Sequence, residues 1–171
     1  MPPPTSLTIR EIRPEEFELV WPIFHAVVSS GDTYAYSPDL ALGAARTLWA
    51  GPPARAFVAE LEGSVVGTYS LRPNQPGLGN HVANAGYMVA PEARGQGIAR
   101  ALCEHSMDTA RGAGFTAIQF NFVVSSNEGA VRLWHRCGFR VVGQVPRAFR
   151  HRERGPTDVF IMHRFLSPDA G

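Results

Sequence analysis

The sequence contains no lysine; arginine alone supplies its 16 basic residues, set against 15 acidic ones for a formal net charge of +1. Without lysine a Walker P-loop is excluded, because that loop closes on a Lys after its last glycine. So even a balance gives no electrostatic case for a nucleic acid or an anionic membrane as partner. Cysteine is scarce too: Cys103 and Cys137 both fall in predicted helices, which suits a reducing cytoplasm better than a disulfide framework. No apolar run approaches the length of a membrane span, and Met1-Pro2-Pro3-Pro4 lacks a signal-peptide pattern, so a cytoplasmic location is expected. Internal repeats and low-complexity segments are missing as well. Residues 1–171 therefore read as one domain, with disorder expected at 1–5 and 167–171. Arginine in place of lysine, with abundant Ala, Gly and Pro, points to a GC-rich bacterial genome and bears on source alone.

What the chain does have is concentrated between Val82 and Leu102. An apolar extended run, Val82 to Val89, is stopped by Pro91, which offers no backbone donor. A short turn follows, with Gly95 and Gly97, and then Ile98, Ala99, Leu102 and Cys103 recur at helical spacing. Strand, glycine turn and helix start together aim backbone N–H groups and a helix dipole at one small volume, which suits a phosphate. Arg94 and Arg100 add positive charge on either side. A dinucleotide fingerprint fails, because Arg100 stands where its third glycine or alanine belongs.

Elsewhere the pattern gives a strand over Leu7–Ile12 and a helix from Pro14 through Val28 that Pro22 should kink or divide. A loop with Tyr34 and Tyr36 leads to a helix from Pro38 to Trp49, with Leu40, Leu42 and Leu48 inward. Strands over Arg55–Leu61 and Ser64–Leu71 meet at Glu62-Gly63. The central helix runs from Ile98 to about Ala110, then come a strand over Thr116–Val124, a helix capped by Ser126 or Asn127 and ending at Cys137-Gly138, and strands over Val141–Val145 and Val159–Phe165. Arg147, Arg150, His151, Arg152 and Arg154 read as a solvated loop between those last strands, although they would also suit an anionic group. The order β-α-α-β-β-β-α-β-α-β-β gives an α/β class with one mixed sheet flanked by helices.

Two motifs carry a resemblance. Arg94, Gly97 and Ala99 read as R-x-x-G-x-A behind a V-x-P strand end, and Asn127 through Phe139 reads as N-x-x-A-x-x-L-x-x-x-x-G-F. The chain resembles the GCN5-related N-acetyltransferase (GNAT) family over nearly its whole length, which implies the acyl-CoA N-acyltransferase (GNAT) fold and acetyl-CoA as cosubstrate, without metal. The resemblance implies that the coenzyme lies on backbone at Met88 and Val89, on Arg94, Gly95, Gln96, Gly97, Ile98, Ala99 and Arg100, and on Asn127. It also implies a homodimer, since the last two strands often pair across subunits in that family. At the position where relatives carry a tyrosine that protonates the departing thiolate stands Trp134, whose indole cannot do so. A thiol with a pKa of about 8.5 leaves as its anion without much help. Trp134 therefore belongs either to the wall of the acyl site or to the core.

Asn84 and Asn121 sit within strands, where asparagine is disfavoured. Each must be tied to backbone at a splayed strand pair or aimed at substrate. With Asn127 and Trp134 they resemble a branch of the family that includes yeast enzymes acetylating toxic proline analogues. In that branch such asparagines hold substrate and coenzyme. The backbone N–H of Val89 is the natural donor to a developing oxyanion. The strand after Thr116 has Phe122 where relatives often place a Glu, so His81, or alternatively Asp158, is the candidate base. Tyr34 and Tyr36 fall in a substrate-facing loop by resemblance, with plain packing as the other reading. Cys103-x-His105 and His135-x-Cys137 put their members on different helix faces and lack zinc spacing, so no metal is expected.

The expected activity is acetyl transfer from acetyl-CoA to a small-molecule amine, directly and without a covalent enzyme intermediate. A proline-like imino acid or toxic amino-acid analogue is the favoured acceptor, against a protein N-terminus or lysine, or an antibiotic amine. A non-catalytic acyl-CoA sensor is the rival of another class, kept open by Trp134 and the missing strand carboxylate.

Overall fold

The apolar runs and the turn residues between them divide the chain as the computed structural model shows it, with residues 2–4 and 6–167 described. The elements are β1 (Leu7–Ile12), α1 (Trp21–Ser30), α2 (Leu42–Ala50), β2 (Arg55–Leu61), β3 (Ser64–Pro73), β4 (Val82–Val89), α3 (Ile98–Gly112), β5 (Ala117–Val124), α4 (Glu128–Arg136), β6 (Arg140–His151) and β7 (Gly155–Phe165). The strands form one seven-stranded sheet in the order β1-β2-β3-β4-β5-β7-β6. Every neighbouring pair is antiparallel except β4 and β5, which run parallel for three residue pairs only, Val82 with Ala117 to Asn84 with Gln119. Helices cover both faces. A Cβ on Gly86 of β4 would meet Tyr34 Oη at 3.0 Å and the Trp49 ring at 3.3 Å, whereas one on Gly67 of β3 would meet Ile98 and Leu102 of α3. The core lies on both sides of the central strands, with Trp49, Tyr69, Phe17, Phe24, Leu102 and Ile118 fully buried.

Pro22 divides the first helical stretch. A 3-10 segment, Pro14–Leu19, ends before α1, and Pro22 occupies the first turn of α1, where its missing N–H has no intrahelical partner to lose. Asn127 is the N-cap of α4, its Oδ1 accepting from the Ala130 N–H at 3.4 Å, and Gly138 follows the helix at φ +84°.

Two expectations are corrected. Helix α2 starts at Leu42 rather than Pro38, and it turns Ala45, Trp49 and Ala50 inward while Leu48 is exposed. The Trp49 indole N–H, donating to Thr68 Oγ1 at 3.0 Å, fixes that rotation. The last two strands extend into one long hairpin, so Arg147, Arg150 and His151 belong to a strand, while Arg152 and Arg154 stand in the exposed turn at its tip. Arg150 and His151 pair with Pro156 and Gly155 on β7, and the Arg152 N–H donates to the Gly31 carbonyl at the end of α1 at 3.0 Å. At the ends, Met1, Thr5 and residues 168–171 of the expected disordered termini lie outside the described residues, while Pro4 accepts a hydrogen bond from the Leu7 N–H at 3.1 Å. Among the described residues no helix is long and apolar enough to cross a membrane.

Candidate active site in the fork between β4 and β5

The site begins where β4 and β5 part. The Asn84 side chain donates from Nδ2 to the Gln119 carbonyl at 3.0 Å, at the last paired step between the two strands. Beyond it the phase of the β3–β4 ladder decides which groups face the gap. Asn74 N–H to Val82 O at 2.8 Å and Ala90 N–H to Val66 O at 2.9 Å place the even-numbered residues of β4 on β3. The odd-numbered ones, Ala85, Tyr87 and Val89, therefore direct their backbone groups toward β5, which no longer runs alongside. The Tyr87 carbonyl takes the Tyr34 hydroxyl at 2.9 Å. The Val89 N–H is directed into the open fork.

A cleft of about 880 Å³ fills this fork and continues onto the face of α1 and α2. At one end lies the glycine turn. Gly95 and Gly97 both have φ +78°, a conformation costly for any side chain, and Gly97 caps α3. No side chain caps that helix and no acidic residue stands in its first turn, so its free N–H groups and positive dipole end are uncompensated. The Arg94 side chain has no hydrogen bond or ion pair among the described residues that line or surround the cleft, whereas that of Arg100 is held by Glu104 at 2.8 Å. These features fit a pyrophosphate, and a slender thioester arm fits the fork behind it. Gly95, Gly97, Ile98, Ala99 and Arg100 line the cleft; Gln96, of the same turn, does not. Met88 lines it too, although its side chain is buried among apolar neighbours.

The asparagines part company. Asn127 lines the cleft and caps α4 at once. Asn84 lines it and ties the fork through its bond to the Gln119 carbonyl. Asn121 lines it as well, with Oδ1 accepting from Gln119 Nε2 at 2.9 Å and Nδ2 donating to Asn74 Oδ1 at 2.6 Å.

Trp134 is buried to 8% exposure against Tyr87 and Phe120, ring centres 4.9 and 5.2 Å away, and also lines the cleft. Tyr34 and Tyr36 stack at 5.7 Å and line the part of the cleft toward α1 and α2. Burial raises both phenol pKa values, so both hydroxyls stay protonated. Tyr87 offers no substitute acid: its hydroxyl meets Ser106 Oγ at 2.7 Å under α3.

His81 is a correction. It precedes β4 at the end away from Val89, eight residues or about 26 Å along an extended chain, and it is exposed and not part of the cleft wall. Asp158 is used structurally. Its carboxylate accepts from the Arg147 N–H at 2.9 Å and Gln144 Nε2 at 2.6 Å, which hold its pKa below the usual range. Among the described residues lining the cleft, Asp32 is the one carboxylate, and it takes the Ser30 hydroxyl. Neither cysteine lines the cleft; the Cys103 thiol is pushed up by its neighbour Cys137 and by burial. No group of three or more His, Cys, Asp or Glu side chains among the described residues is arranged to hold a metal ion. Gly86 and Arg72 are among the cleft residues that the sequence does not mark as candidates. Gly86, mid-strand, signals a close approach, here by Tyr34. Arg72 gave no signal, since one arginine at a strand end has no pattern around it.

Comparison with known proteins agrees with this geometry. The model of the acetyltransferase (GNAT) family matches residues 9–139. The N-acetyltransferase aca1 of Schizosaccharomyces pombe is 34% identical over 99 residues, 57% of this chain and 47% of that protein, so the chain spans about half of that relative's length. The solved structure of a GCN5-related N-acetyltransferase from Kribbella flavida is 46% identical, with a TM-score of 0.87 over 94% of this chain and 98% of that one. A phosphinothricin acetyltransferase (Pat) from Sinorhizobium meliloti, solved in complex with AcCoA, superposes with a TM-score of 0.83 at 20% identity over 95% and 90% of the two chains; that likeness shows the fold.

Proposed function

The chain belongs to the GNAT family of acetyltransferases, and from that premise we propose that it moves acetyl from acetyl-CoA directly to the amine of a small molecule. The observation that carries this reading is the fork itself, where the Val89 N–H and the uncapped start of α3 open into one cleft. Bound acetyl-CoA supplies an activated acetyl thioester. Arg94, Gly95 and the first N–H groups of α3 hold its pyrophosphate, and Met88, Val89 and Asn127 hold its arm. Gln96 stays outside this set. The Val89 N–H donates to the thioester oxygen as negative charge gathers there. Tyr34, Tyr36, Asn84 and Asn121 bound the acceptor side, and Trp134 walls the acyl group and keeps water from it.

Proton traffic is simple in this account. Among the described residues no histidine lines the cleft and Asp32, which accepts from Ser30, is its one carboxylate; in this reading the amine arrives neutral or sheds its proton to water. Sulfur leaves as thiolate, which at a pKa of about 8.5 needs no phenol beside it. Buried Cys103 and Cys137 are out of reach, so no acetyl-enzyme forms on sulfur. A proline-like imino acid or an amino-acid analogue is the acceptor this small polar end favours. Val141, Val142 and Val145, exposed along the edge strand β6, favour a homodimer through that strand. The test is thiol release from acetyl-CoA against proline analogues, free amino acids, polyamines and a lysine peptide. Saturable release with one acceptor class supports the reading; tight coenzyme binding without release for any amine leaves a sensor instead.

A further inference from the structure

We infer that Arg72 reads a carboxylate on the acceptor, so that the acceptor is an α-amino or imino acid rather than a simple amine; this rests on the acetyl-transfer reading of the same cleft. Four arginines line the cleft. Arg94 and Arg100 belong to the glycine turn and Arg136 to the end of α4. Arg72, on β3, is the cation of the acceptor end. It takes part in no ion pair among the described residues, and the one carboxylate of the cleft, Asp32, is bonded to Ser30. A guanidinium placed in a substrate cleft without a counter-charge is poised for an anion that arrives with the ligand.

Its position is built. Nη2 donates to the Leu48 carbonyl and to Ser70 Oγ, the latter at 3.3 Å, so the head is anchored while Nε and Nη1 have no partner among the described residues. Those two nitrogens lie on different edges of the guanidinium, each bidentate edge being completed by Nη2, so each can give a carboxylate a single charge-assisted hydrogen bond. Tyr36 borders the head closely enough for the arginine charge to oppose the rise of its phenol pKa. On β4 the register partner of Arg72 is Asn84, and that of Ser70 is Gly86. The arginine head, drawn toward Ser70, therefore sits opposite Gly86, three residues or about 10 Å short of Val89. That interval takes one carboxylate-to-amine unit plus the thioester carbonyl on the Val89 N–H. A longer spacer between amine and anion would overrun it.

Matched pairs test the inference: proline with prolinamide, alanine with alaninamide, and glutamate with its α-amide. Each is titrated calorimetrically into protein saturated with coenzyme A, and each is assayed for thiol release from acetyl-CoA. For at least one pair the wild type is expected to favour the acid by about tenfold or more in both measurements. Arg72→Met should abolish that preference by raising KM for the acid, with KM for acetyl-CoA unchanged, and Arg72→Lys should restore part of it. Equal treatment of acid and amide in every pair by the wild type, binding of none of them, or a preference that survives Arg72→Met would overturn it. If acids bind preferentially and through Arg72 yet no amine is acetylated, the carboxylate site stands and the transfer reading falls.

Discussion

The Asn84 side chain bonds the Gln119 carbonyl at the last step where β4 and β5 are paired, 3.0 Å from donor to acceptor. That one amide marks the vertex of the fork. Asn84→Ala leaves the carbonyl unpaired at a half-buried site, and a loss of about 1–2 kcal/mol in urea unfolding is expected. Activity should fall more steeply than stability, because the fork sets the gap between Val89 and the acceptor end. Unchanged kcat/KM in a destabilised variant would separate the tie from the chemistry.

The glycine turn is next. Gly95 has φ +78° with open space where a Cβ would project, so alanine there is strained rather than crowded. Gly95→Ala should cost about 1–2 kcal/mol of stability and raise KM for acetyl-CoA while KM for the acceptor stays put. Bisubstrate kinetics on the variant decide it; a change confined to the acceptor KM would move the phosphate site elsewhere.

Trp134 tests whether an acid is needed. If the thiolate leaves unaided, Trp134→Tyr restores the family's phenol and yet leaves kcat within about twofold at a pH near the thiol pKa of about 8.5. A large gain in kcat would show that departure of sulfur limits the native enzyme.

The pH profile tests the absence of a base. With no histidine in the cleft wall, log kcat/KM should rise with the fraction of neutral acceptor, and its midpoint should follow the amine when a less basic acceptor is substituted. A midpoint that stays fixed across acceptors would reveal a titrating enzyme group. His81→Ala is expected to leave the profile where it was.

Stability has its own pH dependence. Burial depresses His105 and His163 below the ordinary imidazole value of 6.5, and His105 Nδ1 meets the Tyr69 hydroxyl at 2.8 Å. Below that pH the unfolded chain binds protons that the folded one refuses, so stability is full above about pH 6.5 and falls as pH drops toward the folded values. Glu11, lowered by Arg55, and Glu16, lowered by the Arg13 N–H, add a second loss at lower pH, beneath the ordinary carboxyl value of 4.5. His105→Gln should flatten the upper phase in urea unfolding followed against pH; an unaltered slope would assign it to His163.

Much of this was legible in the residues, for physical reasons. Pro91, Gly95 and Gly97 can hardly be read otherwise than as a strand end and a tight turn, and that turn located the cleft. Asn84 stood out because an amide in a central strand must find a partner. Other features are set by tertiary packing, which leaves no local mark. Leu48 looked inward by periodicity, but the Trp49 indole bond to Thr68 turned the helix the other way. The arginine-rich hairpin has poor strand propensity, and its pairing comes from β7 and from the dock of Arg152 on Gly31. His81 precedes β4 at the end away from the glycine turn, and no residue type around it marks how far it stands from the fork.

The central claim is direct transfer inside the fork, and initial rates with acetyl-CoA and the acceptor varied together test it most directly. The account predicts double-reciprocal lines that intersect, since both substrates must occupy the cleft before acetyl moves. Parallel lines, with an acetylated protein isolable in the absence of acceptor, would contradict it.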